Sequence, residues 1–239
     1  MGGAGVLALG AVALGATLPP RNEEGGDQEM VTLYTFGDSI LDCGHYNQYG
    51  IHPGGLVVRN DDRLFPEFRG KDLASRNPSS RLEHRAQDGA TVETLPAQTR
   101  GLKVADDGRS IAIVTVGGND LLRGLVVDTG PDIERFKMAL EAFLKALPIR
   151  PVLLGNVYDP SFGDDSRNFL GVDPKLARAN HQRINSAIAE LAGRYGQLVD
   201  LHGHFLKGDP SWYTQTIEPG LVGASEVRRA FLSYVLQAM

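Results

Sequence analysis

The sequence predicts a three-layer α/β/α domain built on a mostly parallel sheet. Three observations carry this reading. Short strand-like runs near residues 31–36, 82–86, 111–116, 151–156 and 197–201 are separated by longer segments, several of them with helical periodicity. The run Ile111–Val116 is nearly continuous in its apolar character, as befits a strand buried on both faces. With 239 residues, 42% of them hydrophobic, the chain is long enough to bury one sizeable core. Right-handed crossovers between successive parallel strands then put helices on both faces.

In chain order, Thr32–Phe36 reads as the first strand and stops at Gly37-Asp38-Ser39, where glycine permits a tight turn. Ile40–Tyr49 is expected to be a short helix and Gly50–Asn60 a loop, with Leu64–Phe68 adding aromatic bulk to the core or the site's rim. Leu82–Ala86 is the second strand and ends at Asp88-Gly89-Ala90-Thr91, where Thr91 can cap a short helix reaching Gly101. The third strand, Ile111–Val116, ends at Gly117-Gly118-Asn119-Asp120. Ile133, Phe136, Leu140, Phe143, Leu144 and Leu147 recur at helical spacing and predict a helix over 132–147 closed by Pro148. After the strand Pro151–Asn156 and a polar loop from Asp159 to Gly171, Asp173-Pro174 opens a helix whose buried face holds Ile184, Ala187, Ile188 and Leu191. Gln197–Leu201 is the last strand, and Glu226–Ala238 a terminal helix capped by Ser225.

The bulk properties exclude some functions. A net charge of −5, with Lys and Arg scattered among acids, offers no footprint for nucleic acid. The single Cys43 excludes an internal disulfide and a Cys-rich zinc site. Residues 1–29 stand apart as an apolar leader and a polar linker, and the folded domain is expected over 30–239. Ala4–Leu18 has signal-peptide length but no Lys or Arg ahead of it, and is too short and Gly-rich for a stable membrane span. Three readings fit it: a weak secretory signal, a lipid-facing anchor, or upstream sequence ahead of a true start at Met30, which is preferred. A start at Met30 implies a cytoplasmic protein; a genuine leader implies a secreted or membrane-associated one.

Three small polar clusters thus fall at the carboxyl ends of the first three strands, the edge where ligands bind in an open α/β sheet. Ser39 is the candidate nucleophile. Gly89 can offer an unobstructed backbone N–H, Asn119 a side-chain amide, and Ser39 its own N–H, the donors that acyl transfer requires for a developing oxyanion. Taken singly, each cluster also reads as a turn, and Asp38 or Ser39 as a helix cap. Asp38, Asp42 and Asp120 could gather around a divalent metal, although capping and turn hydrogen bonds explain Asp38 and Asp120.

Phe36-Gly37-Asp38-Ser39-Ile40-Leu41-Asp42, then Gly89, then Gly117-Gly118-Asn119-Asp120 resemble the first three sequence blocks of the SGNH hydrolases, the GDSL-type esterases and lipases. The resemblance runs from about residue 31 to 235. It implies a flavodoxin-like sheet, a small-molecule ester substrate, no cofactor, Ser39 as nucleophile, and Ser39, Gly89 and Asn119 as oxyanion donors. The fourth block departs from the family. Where the family carries Asp-x-x-His, this chain has Gln215-Thr216-Ile217-Glu218, so that Gln215 replaces the orienting acid and Glu218 the base. A carboxylate can serve as base if burial raises its pKa.

A displaced histidine is the other source of a base. His204 and His202 follow the last strand and are the first choices; His84 lies on the approach to Gly89 and His45 close to Ser39 in sequence. His52 and His181 read as loop and helix-surface residues. Trp212-Tyr213 can line an acyl or sugar pocket or pack in the core, and Arg228-Arg229 reads as a solvated face. The expected function is hydrolysis of a carboxylic ester through Ser39 with an atypical base. The alternatives are a catalytically impaired protein of the same fold that binds an acyl or sugar ligand, and a metal-assisted hydrolase.

Overall fold

The computed structural model describes residues 1–2, 29–104 and 108–239. The expectations for the leader fall almost wholly outside the described residues. Five parallel strands, β1 (Met30–Gly37), β2 (Arg81–His84), β3 (Gly108–Thr115), β4 (Val152–Gly155) and β5 (Gln197–Val199), form one sheet in the order β2-β1-β3-β4-β5. A separate antiparallel pair, β6 (Tyr213–Thr214) and β7 (Glu218–Pro219), follows β5 in the chain. The helices are α1 (Pro53–Val58), α2 (Leu73–Arg76), α3 (Leu95–Gln98), α4 (Gly118–Leu122), α5 (Asp132–Ala146), α6 (Pro174–Tyr195), α7 (Leu201–Phe205) and α8 (Leu221–Gln237). This is the three-layer arrangement expected from the sequence.

The period of two along each strand divides the core between the two faces. Tyr34, Phe36, Ala112, Val114, Val152 and Leu154 pack under α5 and α6. Val31, Leu33, Ile111, Ile113, Leu153 and Val199 face the other way, under α1, α7 and α8. Covered on both sides, β4 and the second half of β3 are buried on both faces, which explains the continuous apolar run of β3.

Four local expectations differ from the structure. The helix expected over Ile40–Tyr49 is reduced to a turn and one short 3-10 helix, Gly44–Tyr46: Asp42 N and Leu41 N donate to Asp38 O, and Asn47 Oδ1 then takes the N–H groups of Tyr49 and Ile51, bending the chain away. The Gly50–Asn60 loop instead contains α1, begun by His52 Nδ1 accepting from Gly55 N. Its glycines mask the helical pattern but allow contact with the sheet, since a Cβ on Gly54 would lie 2.9 Å from Thr35 Cγ2. The helix predicted from Thr91 is reduced to the single turn of α3. α8 begins at Leu221, five residues before the expected Glu226; a Cβ on Gly223 would lie 2.1 Å from Trp212 O, so glycine is required for that approach.

Ser225 therefore lies inside α8 rather than capping it, and it holds Arg228. Arg228 is no solvated residue: it is 1% exposed, its guanidinium stacks 3.3 Å from the Phe68 ring centroid, and Nη1 donates to Asn60 Oδ1 at 2.9 Å. Burial lowers its pKa to about 10, which still leaves it charged at neutral pH. Arg228→Ala removes a cation–π contact, opens a cavity and strands Asn60 and Ser225, so it should cost about 3 kcal/mol of unfolding free energy. Arg228→Lys should recover only part, because an ammonium cannot reproduce the planar fork. Urea titration of the three proteins measures both effects.

Candidate active site

The site starts where β1 comes closest to β3. Gly37 has φ +131°, and a Cβ there would sit 1.9 Å from Thr115 O, so only glycine fits. The buried Gln98 amide clamps this residue, accepting from Gly37 N at 2.8 Å and donating to Gly37 O at 2.7 Å. The next side chain, Asp38, turns inward, where Oδ1 accepts from Thr115 Oγ1 at 2.8 Å and from Ile40 N at 3.2 Å. Burial nonetheless pushes its pKa up to about 7, with the charges of Asp120 and Glu218 adding to the rise. Ser39 follows on a cavity wall.

The second and third clusters are bonded together. Gly117, at φ +118°, lets β3 turn beneath α6, where a Cβ would meet Ile184 at 3.0 Å. α4 then aims its first residues at the 89–92 segment: Asn119 Nδ2 donates to Ala90 O at 3.1 Å, and both Asp120 oxygens accept from Val92 N at 3.2 Å. Arg123 Nη2 donates to Gly89 O at 2.9 Å. From the other side, Asp42 Oδ2 accepts from Asp88 N at 2.9 Å. Asp42 is thus engaged with Asp88 and His84. Among the described residues no group of three His, Cys, Asp or Glu is arranged to hold a metal ion.

Glu218 reaches the same cavity from the β6–β7 hairpin. Tyr158 OH donates to Ile217 O at 2.7 Å and its ring stacks on Phe205 at 4.7 Å, anchoring the hairpin to the core. Burial raises the Glu218 pKa, and the neighbouring Ser39 hydroxyl offsets part of the rise. Glu218 Oε2 is buried and has no hydrogen-bond partner among the described residues. Gln215 sits exposed at the hairpin tip with φ +47°.

The structure therefore brings Ser39, Asn119 and Glu218 to one cavity, while Gly89 lies just outside its lining, next to the Ala90 carbonyl held by Asn119. His202 and His204 do not line it. His204 Nε2 pairs with Glu226 at 2.9 Å beside Trp212, and the His202 ring lies 5.2 Å from that of His181. His181, read from sequence as a surface residue, does line the cavity and bonds Val157 O at 2.9 Å. Burial and neighbouring His202 lower its pKa. The signal for it was the periodicity itself, because 181 extends the buried stripe of 184, 188 and 191 by one turn. Burial pushes the Cys43 thiol up to about 12, which leaves it inert as a nucleophile.

A family model described as GDSL-like Lipase/Acylhydrolase matches residues 35–221, most of the sequence, from the end of β1 to the start of α8. The chain belongs to the GDSL-like lipase/acylhydrolase family. Among solved structures this GDSL-like protein is similar to an acetylxylan esterase from Geobacillus stearothermophilus, at 19% identity over 87% of this chain and 94% of the other, with a TM-score of 0.61. It is similar also to an α/β hydrolase enzyme from the metagenome of Lake Arreo, Spain, at 21% identity over 87% and 96%, TM-score 0.59. A lipase from a goat rumen metagenome aligns at 16% identity over 85% and 97%, TM-score 0.59. The sequence matches no curated protein. Among the described residues no helix is long and apolar enough to cross a membrane.

The buried Asp38 of this GDSL-like domain makes a pH-dependent contribution to stability. Its folded pKa of about 7 lies above the ordinary 3.8, so between these values the folded state binds more protons than the unfolded state. Stability from this group falls as pH rises through that window. Wild type should therefore lose unfolding free energy relative to Asp38→Asn between pH 5 and pH 8, measured by urea titration at each pH. A flat difference would mean that Asp38 ionises at its ordinary pKa.

Proposed function

We propose that the chain hydrolyses carboxylic esters with Ser39 as nucleophile and Glu218 as general base. The observation that carries this reading is the Ser39 hydroxyl set against a carboxyl whose pKa burial raises, in a cavity of largely apolar lining. Family membership and esterase neighbours of the same fold support the reaction class. In the first half-reaction Glu218 takes the Ser39 proton as Oγ attacks the ester carbonyl carbon. The oxyanion is held by the N–H groups of Ser39 and Gly89 and by the second N–H of the Asn119 amide. Collapse breaks the bond to the alcohol oxygen, which receives the proton from Glu218. Water then attacks the acyl-serine, Glu218 takes its proton, and the acid leaves as Ser39 is reprotonated.

A glutamate base changes the pH profile. It works only when ionised, so activity should fall with acid, with the limb above the ordinary glutamate value of about 4.3 because burial raises this group. A specific observation also favours the second reading, a ligand-binding protein without turnover: among the described residues no histidine hydrogen-bonds to Ser39.

Chromogenic acyl esters separate the two. Ser39→Ala should reduce hydrolysis to the uncatalysed rate, and Glu218→Gln should lower kcat about 100-fold or more. The double change Gln215→Asp with Glu218→His should move the acid limb towards the ordinary histidine value of about 6.5. Wild-type turnover no faster than Ser39→Ala on every ester would support the binding role instead.

A further inference from the structure

The cavity beside Ser39 has a volume of about 140 Å³. Leu121 and Val126 line it from α4 and the turn after it, and Ala177 from the start of α6. The loop between β4 and α6 adds Pro160, Phe169 and Leu170, and the hairpin residues Ile217 and Glu218 and the polar side chains of Asp159 and His181 also line the cavity. This loop is long, but it is tied to itself and to α6. Asp159 accepts from Ser161 N, Ser161 Oγ and Gly163 N, and Asn168 bonds Leu170 N and Val172 O. One guanidinium then fastens the loop to the helix: Arg178 Nη2 donates to Gly163 O at 3.0 Å, Nε donates to Asp165 Oδ1 at 3.0 Å, and Nη1 lies 3.6 Å from Asp159 Oδ2. Outside the cavity's interior, Leu122 and Phe169 expose apolar side chains, 40% and 45% accessible, along the same lining.

We propose that this loop, latched by Arg178, is the wall that limits the bound chain, and that the substrates are esters of short unbranched acids of about six carbons. The proposal rests on the hydrolase reading above for its chemistry. An apolar space of roughly 150 Å³ accommodates a six-carbon, benzene-sized guest. An acyl chain leaves no polar atom unpaired against Leu121, Val126 and Leu170, whereas a sugar ring there would lose its hydrogen bonds to water. Each methylene entering the cavity should raise kcat/KM about fourfold until the chain meets the wall.

The test uses the full chain and p-nitrophenyl esters from acetyl to decanoyl. For wild type, kcat/KM should rise about 250-fold from acetyl to hexanoyl and fall at least 10-fold from hexanoyl to decanoyl. Arg178→Met frees the loop and should bring the hexanoyl to decanoyl ratio at least 10-fold closer to unity. Ala177→Phe fills the cavity and should move the optimum to butanoyl or shorter, with circular dichroism reporting that both variants are folded. Decanoyl turned over as well as hexanoyl by wild type, or a ratio unmoved by Arg178→Met, overturns the proposal. If no ester is hydrolysed faster than by Ser39→Ala, calorimetry with hexanamide and decanamide decides. Selective hexanamide binding that Ala177→Phe weakens upholds the pocket while the hydrolase reading falls; no hexanamide binding overturns both.

Discussion

The contact on which the site depends is the approach of β1 to β3 at Gly37 and Thr115. A Cβ at Gly37 would lie 1.9 Å from the Thr115 carbonyl oxygen, and the same Thr115 places its hydroxyl on Asp38. One residue pair thus decides both that the strand must end in a left-handed turn and that the acid following it points into the protein. Ser39 then emerges towards the cavity because its predecessor is held inside. The Gln98 amide, bonded to both backbone groups of Gly37, makes this exit rigid at the last residue of β1.

Around this turn the fold gathers carboxyl groups and limits the water around them. Burial raises the pKa values of Asp38, Asp120 and Glu218 alike, and the charge of Glu218 contributes to the rise of Asp38. The cost is offset for Asp38 and Asp120 by backbone and hydroxyl donors that also lock the 89–92 segment against α4. Glu218 is different: one of its oxygens is buried without a hydrogen-bond partner among the described residues. A buried carboxyl oxygen left unpaired costs stability, and such sites persist where the protein uses the group.

Much of the fold was legible because burial on two faces writes itself into the chain. The central strands of this sheet need apolar residues at most positions, and α5 and α6 need them at helical spacing, so both patterns survive in the sequence. The short elements were hidden for the opposite reason. α1 and the first turn of α8 contain glycines, poor helix formers, that are needed because Thr35 and Trp212 come too close for a side chain. Arg228 looked solvated because its partners Asn60, Phe65 and Phe68 are distant in sequence, and only the packing of α8 makes a cation favourable there.

By itself the sequence determined the layer architecture, the strand ends that carry Ser39, Gly89 and Asn119, and the family to which those blocks belong, because each is encoded by residues close together in the chain. Tertiary structure decided which of the distant groups meet. It drew Glu218 in on a hairpin anchored by Tyr158, held His204 on Glu226, brought His181 to the cavity, and closed that cavity with a loop fastened by Arg178. These groups lie up to 179 positions apart in the chain, as do Ser39 and Glu218 (218 − 39), and apart from the helical periodicity that reaches His181 no local pattern records their meeting. Burial and charge at the site follow from that convergence, since both depend on what surrounds a side chain in space rather than on its neighbours in the chain.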